Sequence, residues 1–156
     1  MRLPILLATA IAILAPAAAA ATLAASDWYR VSRGDAATWY VDLASVRPKV
    51  QWTAARQYAV YDGVSTQGMK SNWSDVEIDC TARNLRYIHF TALDPAGAEM
   101  ASMEMPDNGE LHPIKPGTVM ATIADYVCNV DRRDAVKVDH PTSDHPPSDW
   151  VRHPNG

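Results

Sequence analysis

Apolar and polar residues alternate along most of this chain, from Asp27 to about Met105, and this period of two restricts the fold more than any other feature. Successive side chains of a β-strand point to opposite faces of the sheet, so the alternation predicts strands with one buried and one exposed face. Short turn sequences separate the alternating runs and predict an antiparallel meander of about six strands. The expected strands are residues 27–32, 38–42, 50–61, 73–80, 84–93 and 99–105.

Two turn sequences support the meander. Arg33-Gly34-Asp35-Ala36 joins the first two strands, and a glycine beside an aspartate readily supplies the positive φ of a tight hairpin turn. Asp94-Pro95-Ala96-Gly97 has proline and glycine at the second and fourth positions of a turn, where both are preferred. Residues 43–49 are expected to be a connector between the second and third strands, and Pro48 stops it.

The period changes after Pro116 and Gly117, where a helix is expected from Val119 to Cys128 with Thr118 as its N-cap. The apolar residues of this segment occupy one broad helical face, which must pack against another element. One face of the sheet is the available partner. The sequence therefore predicts an α+β fold, in which a single antiparallel sheet has a C-terminal helix packed on one face.

The two ends of the chain differ from this domain, which is expected to span residues 26–130. Residues 1–21 combine a basic start, an apolar stretch and small residues, as in a secretory signal peptide. The alternative is a retained membrane anchor, but the many alanines gain little from lipid, so no membrane span is expected after cleavage. Residues 131–156 are rich in Pro, His and Asp and are expected to form a disordered tail.

Charge and motifs limit the functional classes. Lys plus Arg is 14 and Asp plus Glu is 18, a formal net charge of −4, so the chain lacks the basic surface that nucleic-acid binding requires. The sequence has no glycine-rich phosphate loop, His-Glu-x-x-His pair or Gly-x-Ser-x-Gly elbow. We therefore expect no cofactor, no metal site in the domain and no enzymatic activity.

A small periplasmic enzyme or enzyme accessory is the second hypothesis. Its candidate acid–base residues are His89, His112, Asp75 and Glu77. His89 is expected to share a strand face with Tyr87 and Thr91, where a hydrogen-bonded structural histidine is the usual explanation.

The chain has two cysteines, Cys80 at the end of a predicted strand and Cys128 at the end of the predicted helix. Each lies on the apolar face of its own element, so a helix lying on the sheet would bring them together. An exported protein enters an oxidising compartment, which favours a disulfide between them. The alternatives are two unpaired buried thiols and a catalytic dithiol, for which the Cys-x-x-Cys spacing is missing.

These features together resemble the bacterial surface-adhesin protein E-like family over about residues 26–128. The most specific part is a strand cysteine, a Pro-x-Thr helix start and a helix-ending cysteine. The other matching positions are mainly aromatic residues of the predicted strands. The residues that carry the resemblance are Trp28, Tyr29, Trp39, Tyr40, Val41, Asp42, Trp52, Cys80, Pro116, Thr118 and Cys128.

The resemblance implies a sheet with a disulfide-tethered C-terminal helix, and a non-enzymatic binding protein. The type member is a surface lipoprotein that binds host extracellular-matrix and serum proteins. This chain lacks the lipidation cysteine, and it has only Arg83 and Arg86 where the type member has a dense Lys/Arg stretch. We therefore expect an adhesin-like protein, periplasmic, secreted or at the cell surface, whose partner is a protein or a cell-envelope component.

Two further signals have ordinary explanations. Arg33-Gly34-Asp35 is the tripeptide that integrins recognise, although Gly-Asp is also what a tight turn prefers. These residues join Arg83 and Arg86 as candidate partner-binding positions. In the tail, the side chains of His140, His145 and His153 suit weak binding of Zn²⁺ or Cu²⁺, although closing a flexible chain around a metal costs entropy. Weak metal binding by the tail is therefore the third hypothesis.

Four tryptophans fall in predicted strands: Trp28, Trp39, Trp52 and Trp73. Large aromatic rings belong mostly in the core. A single helix covers only one face of a small sheet, however, so some of these rings are expected on the uncovered face. There they would form a patch for a partner or for self-association.

Overall fold

The computed structural model describes residues 26–106, 109–129 and 134–141, and the predicted signal peptide lies outside them. The described residues form eight β-strands in one antiparallel sheet and one α-helix, so the α+β class is confirmed. The elements in chain order are β1 (Trp28–Arg33), β2 (Ala37–Pro48), β3 (Thr53–Tyr61), β4 (Ser71–Asp79), β5 (Asn84–Leu93), β6 (Glu99–Glu104), β7 (His112–Pro113), α1 (Val119–Val127) and β8 (Val136–Val138).

The strands lie in the order β6-β5-β4-β3-β2-β1-β8, with β7 also paired to β5. The predicted meander is confirmed for β1 to β6, but the sheet has eight strands rather than about six. The two unexpected strands, β7 and β8, contain two and three residues, which is too short for alternation to be visible in a sequence. β7 forms by pairing with the longer strand β5, and β8 forms by pairing with β1.

β8 also corrects the C-terminal boundary of the domain. It lies within the predicted tail, yet Val138 pairs with Trp28 and Val136 with Arg30 along the outer edge of β1. Pro141 is buried. This part of the predicted tail therefore belongs to the sheet, because the edge of β1 offers backbone hydrogen-bonding groups that a passing chain can satisfy. Residues 142–156 lie outside the described part of the chain.

The helix agrees closely with its prediction. Thr118 is the N-cap, its Oγ1 accepts a hydrogen bond from the backbone N–H of Ala121 at 3.2 Å, and the helix ends one residue earlier than expected. The helix packs against β1 and β2. Among the described residues, no helix is long and apolar enough to cross a membrane.

We call the sheet face beneath α1 the covered face. It carries the main apolar core, with Val41, Ala55, Val76 and Ile78 from the sheet packed against helix residues that include Ile123. At the end of β4, Cys80 is bonded to Cys128, and their Cα atoms are 5.8 Å apart. The predicted disulfide is therefore confirmed and fixes the helix to the sheet.

A bulge in β2 lengthens this strand beyond its prediction. Asp42 pairs with Arg56 and Arg47 pairs with Ala54, so residues 43–46 lie opposite a single residue of β3. The predicted connector is therefore part of β2. Bulges bend a strand and redirect its side chains.

A second bulge, in β5, reverses the expected alternation. Ile88 is an extra residue between Tyr87, which pairs with Val76, and His89, which pairs with Asp75. The prediction that Tyr87 and His89 share a face is wrong, because one inserted residue turns the following side chains to the other side.

The two predicted turns have different outcomes. Gly97 has φ +80° and its N–H donates to the carbonyl of Asp94 at 3.0 Å, as the turn sequence predicts. Gly34 does not have the positive φ that was expected of it. Its N–H donates to the carbonyl of Ala37 at 2.9 Å. This hydrogen bond closes the turn between β1 and β2 without a glycine in the left-handed conformation.

Candidate binding face

The sheet face opposite α1, which we call the open face, carries most of the charged side chains of β3 and β4. Strand alternation places them there: Ala55 and Val76 point toward the helix, so Arg56, Asp75 and Glu77 point away from it. No helix covers this face among the described residues. The open face is therefore the sheet surface that is available for a partner.

One row of charged and polar side chains crosses the open face from β2 to β6. Cross-strand pairing brings Asp42, Arg56, Asp75, His89 and Glu104 into this row. Arg56 holds Asp75 through two hydrogen bonds, Nε to Oδ1 at 2.8 Å and Nη2 to Oδ2 at 2.9 Å. These hydrogen bonds raise the pKa of the Arg56 guanidinium.

A second, shorter row is centred on Glu77, which is 4% exposed. Its Oε1 pairs with Lys49, and its Oε2 accepts hydrogen bonds from Arg86 Nε at 2.9 Å and Nη2 at 2.6 Å. Burial by itself raises the pKa of Glu77, but the hydrogen bonds from Lys49 and Arg86 outweigh it and hold the pKa below 4.5. The Arg86 guanidinium also lies over the Trp52 ring, 4.8 Å from its centroid.

Between the two rows lies a groove of about 420 Å³, which we call the charged groove. Its lining residues are Asp42, Ala44, Ser45, Lys49, Ala54, Ala55, Arg56, Asp75, Val76, Glu77 and Ile88. Both bulges contribute to it, the β2 bulge through Ala44 and Ser45 and the β5 bulge through Ile88. These two bulges thus both border the charged groove.

Ser45 stabilises the bulge that forms one wall of the charged groove. Its Oγ donates to the carbonyl of Asp42 at 2.6 Å and accepts a hydrogen bond from the Arg56 backbone N–H at 2.7 Å. The bulge removes the backbone partner in β2 that the Arg56 N–H would otherwise have, and the Ser45 hydroxyl takes its place. The groove is therefore a built feature of the backbone rather than a gap between mobile side chains.

The end of the open face near β1 is closed by the C-terminal segment. Trp28 and Tyr58 form a buried aromatic cluster with their ring centroids 5.9 Å apart. The His140 ring lies 6.4 Å from Trp28 and 6.0 Å from Tyr58, and Pro141 beside it is buried. These rings form a second small core, so the expected aromatic patch is not found at this end of the open face.

Trp73 is the aromatic side chain that remains half-buried at the centre of the open face. The Arg56 guanidinium lies 4.4 Å from its ring centroid, and the His89 ring stacks on it at 4.6 Å with an interplanar angle of 14°. This platform borders the first charge row. Half-buried aromatic and arginine side chains are the types enriched in protein interfaces.

His89 connects the platform to the edge of the sheet. Its Nδ1 lies 2.7 Å from Glu104 Oε1, and its Nε2 lies 2.8 Å from Thr91 Oγ1 and 3.1 Å from Ser102 Oγ. Ser102, His89 and Glu104 thus have the order of a Ser-His-acid triad, but the buried Thr91 hydroxyl is nearer to Nε2 than Ser102 is. Both ring nitrogens of His89 therefore have hydrogen-bond partners in this arrangement.

The candidate partner-binding residues from the sequence are not brought together. Arg86 lies in the second charge row, whereas Arg83 is paired with Asp125 of the helix at 2.7 Å. Arg33, Gly34 and Asp35 lie at the β1–β2 turn, where Arg33 and Asp35 are exposed. The five residues therefore belong to separate surfaces, and a role for each remains a prediction.

Sequence reasoning missed the main parts of this site. From the sequence, Asp75 and Glu77 are candidates only for acid–base chemistry, and Lys49 and Arg56 are not among the predicted site residues. Arg56, Asp75 and Glu77 alternate with apolar residues in their strands, and this pattern could have placed them on one face. The described residues contain no group of three or more His, Cys, Asp or Glu side chains able to hold a metal ion, and His145 and His153 lie outside them.

Comparison with known proteins agrees with the resemblance noted in the sequence. The family model of surface-adhesin protein E matches residues 28–129, from the start of β1 to just past Cys128. No curated protein and no solved structure gives a match. The family is that of a surface adhesin, which indicates a binding role and a secreted or cell-surface location. Because the match covers well over half of the chain, the protein belongs to the surface-adhesin protein E family.

Proposed function

We propose that this chain is an exported, non-enzymatic binding protein of the bacterial envelope, which holds a protein or an envelope component on its open face. Family membership supports the adhesin-like role. The proposal assigns removal of residues 1–21 on export, so that the mature chain has no membrane span. It also assigns the partner to the charged groove rather than to the Arg33-Gly34-Asp35 turn.

The charged groove is the observation that carries this proposal. It offers about 420 Å³ lined in part by Arg56 and Lys49, which can contact a protein surface through charge-assisted hydrogen bonds. The Trp73 ring lies beside Arg56 and adds a surface for stacking. Opposite charges alternate from Asp42 through Arg56 to Asp75 in the first row and from Lys49 through Glu77 to Arg86 in the second. A partner with its own alternating charges would therefore be held in one register. The open face therefore suits recognition of a polar surface.

The hydrogen bonds of the Asp75 and Glu77 carboxylates support a role in binding rather than in acid catalysis. Both oxygens of Asp75 and both oxygens of Glu77 accept hydrogen bonds from cationic side chains. The pKa of Glu77 is lowered, so this group stays ionised at neutral pH. A general acid needs a raised pKa, and Glu77 has the opposite shift.

Charge reversal at the groove tests the proposal. Full-length protein with its disulfide intact is immobilised and exposed in parallel to envelope extract and to host extracellular matrix. Lys49→Glu places a repelling charge beside Glu77 at the rim of the groove, and we expect it to reduce the captured material about tenfold. Lys115→Glu, which reverses an exposed charge on the loop before α1, is the matched control and should capture as much as the wild type.

A second variant keeps the test independent of the Lys49–Glu77 pair. Ala44→Arg fills the charged groove without removing an ion pair and should abolish capture as well. The proposal is wrong if both groove variants fold, as judged by their melting temperatures, and capture the same material as the wild type in the same amount.

The enzyme hypothesis has one supporting observation, the Ser102, His89 and Glu104 arrangement. In such a site Ser102 Oγ would attack an acyl carbon while His89 Nε2 takes its proton and passes it to the leaving group. A fluorophosphonate probe would then label Ser102, and Ser102→Ala would remove the label. We expect no labelling, because Thr91 shares Nε2 of His89.

A further inference from the structure

The sheet ends at β6, and the outer side of this strand is not paired with another strand among the described residues. All six residues from Glu99 to Glu104 are exposed. We call this outer side of the strand the β6 edge. A strand edge of this kind presents backbone N–H and C=O groups with which another extended chain can pair.

The hydrogen bonding between β5 and β6 shows which backbone groups point outward at the β6 edge. Met105 donates its N–H to the carbonyl of Ile88 at 2.8 Å, so this N–H points toward β5. Consecutive residues of a strand direct their backbone groups to opposite edges, so the N–H and C=O of Glu104 and of Ser102 point away from β5. An added antiparallel strand would therefore form its hydrogen bonds at these two residues.

The side chains of β6 give the edge a polar side and an apolar side. Glu104 pairs with His89 and lies on the open face, and Ser102 shares that face because it is two residues away. Met103 pairs with Phe90 and lies on the other face, where it is 47% exposed. An added strand would therefore have polar neighbours on one side and an exposed methionine on the other.

The charge around β6 indicates what kind of strand the edge would accept. Residues 94–114 contain no Lys or Arg but five acidic residues, Asp94, Glu99, Glu104, Asp107 and Glu110. Glu99 and Glu104 are the first and last residues of β6. The β6 of a second copy would bring two more glutamates to the edge and no basic residue, whereas a basic segment would form cross-strand pairs of opposite charge.

We propose that the β6 edge binds an extended segment of a partner protein in which basic and apolar residues alternate, added to the sheet as a further antiparallel strand. Its basic side chains lie on the open face beside Glu104, and its apolar side chains lie beside Met103. Antiparallel pairing continues the arrangement of the whole sheet, and addition of a strand to a sheet edge is a general mode of peptide recognition. No residue of β6 lines the charged groove, so this inference does not depend on the proposed function.

Two isomeric peptides test the proposal on the full-length, oxidised protein. Both have the sequence Lys-Val-Lys-Val-Lys-Val with an N-terminal fluorescein, and they differ only in whether the Val or the Lys backbone nitrogens are methylated. The first peptide keeps its N–H groups at Lys, so antiparallel pairing places Lys opposite Glu104. The second keeps them at Val, so the same pairing places Val opposite Glu104 and Lys opposite Met103.

Fluorescence anisotropy measures the affinity of each peptide. We expect saturable binding of the first peptide and about tenfold weaker binding of the second, because the second register mismatches each cross-strand pair. Absence of saturation, equal affinity for the two peptides or a reversed preference would overturn the proposal.

A charge reversal locates the binding at β6. Glu99→Lys places a repelling charge at the start of the strand, and we expect it to weaken binding of the first peptide about fivefold. Asp134→Lys makes the same change in net charge at an exposed turn before β8, at the opposite end of the sheet, and should weaken binding less than about twofold. Equal losses in the two variants would show that net charge alone attracts the peptide and would overturn the proposal.

Sedimentation distinguishes a partner segment from a second copy of this chain. We expect the first peptide to bind without changing the state of association of the protein. A dimer that dissociates when the first peptide is added would assign the β6 edge to a second copy and overturn the proposal.

Discussion

The covered face and the open face belong to the same strands but are stabilised by different interactions. On the covered face, Val41, Val76 and Ile78 pack against a helix that the Cys80–Cys128 disulfide holds in place. On the open face, charged side chains form ion pairs with one another, and Arg56–Asp75 is the clearest example. The covered face excludes water, whereas the open face is exposed to it outside the small aromatic core near β1.

This difference separates stability from recognition. Apolar packing on the covered face is buried beneath the helix, so it does not contact a binding partner. It supplies most of the favourable free energy of folding. Ion pairs at a half-exposed surface add little to stability, because water and salt screen them. On the open face these ion pairs present a fixed arrangement of charges to a partner. Substitutions on the covered face should therefore lower the free energy of unfolding, and substitutions on the open face should mainly weaken binding.

Removal of the disulfide should have the largest effect on the covered face. The disulfide closes a loop with a sequence separation of 48 residues. In the chain-entropy model, Cys80→Ser with Cys128→Ser lowers the free energy of unfolding by about 4 kcal/mol. Urea denaturation measures the loss. Added reductant should weaken the wild type and leave the double variant unchanged, and equal stability of the two proteins without reductant would refute the prediction.

Loss of a core side chain should come next. Ile123 is 1% exposed at the contact between helix and sheet, and Ile123→Ala should lower the free energy of unfolding by about 3 kcal/mol through lost burial and a residual cavity. Thr122→Ala, at the exposed neighbouring position, is the control and should change it by less than about 0.5 kcal/mol. Similar losses in both variants would show that the helix does not pack as described.

A smaller effect, dependent on pH, is expected on the open face. Glu77→Gln removes a carboxylate that Lys49 and Arg86 hold, and should lower the free energy of unfolding at pH 7 by about 1 to 2 kcal/mol.

The direction of the pH dependence follows from the lowered pKa of Glu77. The stabilising contribution is complete above the ordinary value of 4.5 and is lost as the pH falls through the lower pKa of the folded state. The difference between wild type and Glu77→Gln should therefore disappear in strong acid. Glu99→Gln, at an exposed position of β6, serves as the control with little effect at any pH. A constant difference across the titration would contradict the prediction.

The helix cap should give the smallest change. Thr118→Ala removes the acceptor for the Ala121 N–H and should lower the free energy of unfolding by about 1 kcal/mol. Thr118→Ser retains the hydroxyl and should preserve most of the stability. Helical circular dichroism and thermal denaturation distinguish the two, and equal behaviour of the Ala and Ser variants would exclude a capping role.

Much of the fold could be predicted because its signals are local. The strand Asn84–Leu93 and the cap at Thr118 agree with the residues expected for them, and both cysteines were placed on facing apolar surfaces. The predictions that failed concern contacts between distant parts of the sequence. The bulge at Ile88 and the strand Val136–Val138 depend on partners distant in sequence, so no periodic signal reports them.

The candidate site was harder to predict than the fold. Arg56, Asp75 and Glu77 look like ordinary exposed residues of alternating strands. Only the register of β3, β4 and β5 makes them neighbours, and only the two bulges open the charged groove between them.

The amino-acid sequence by itself determined the alternation that builds the sheet, the single amphipathic helix and the cysteine pair that joins them, because each depends on neighbouring residues or on residue type. The tertiary structure decided the register shifts, the return of the chain along β1 and the charged groove. These depend on how strands far apart in the sequence align and on where a bulge inserts an extra residue, which the alternation within a single strand does not report.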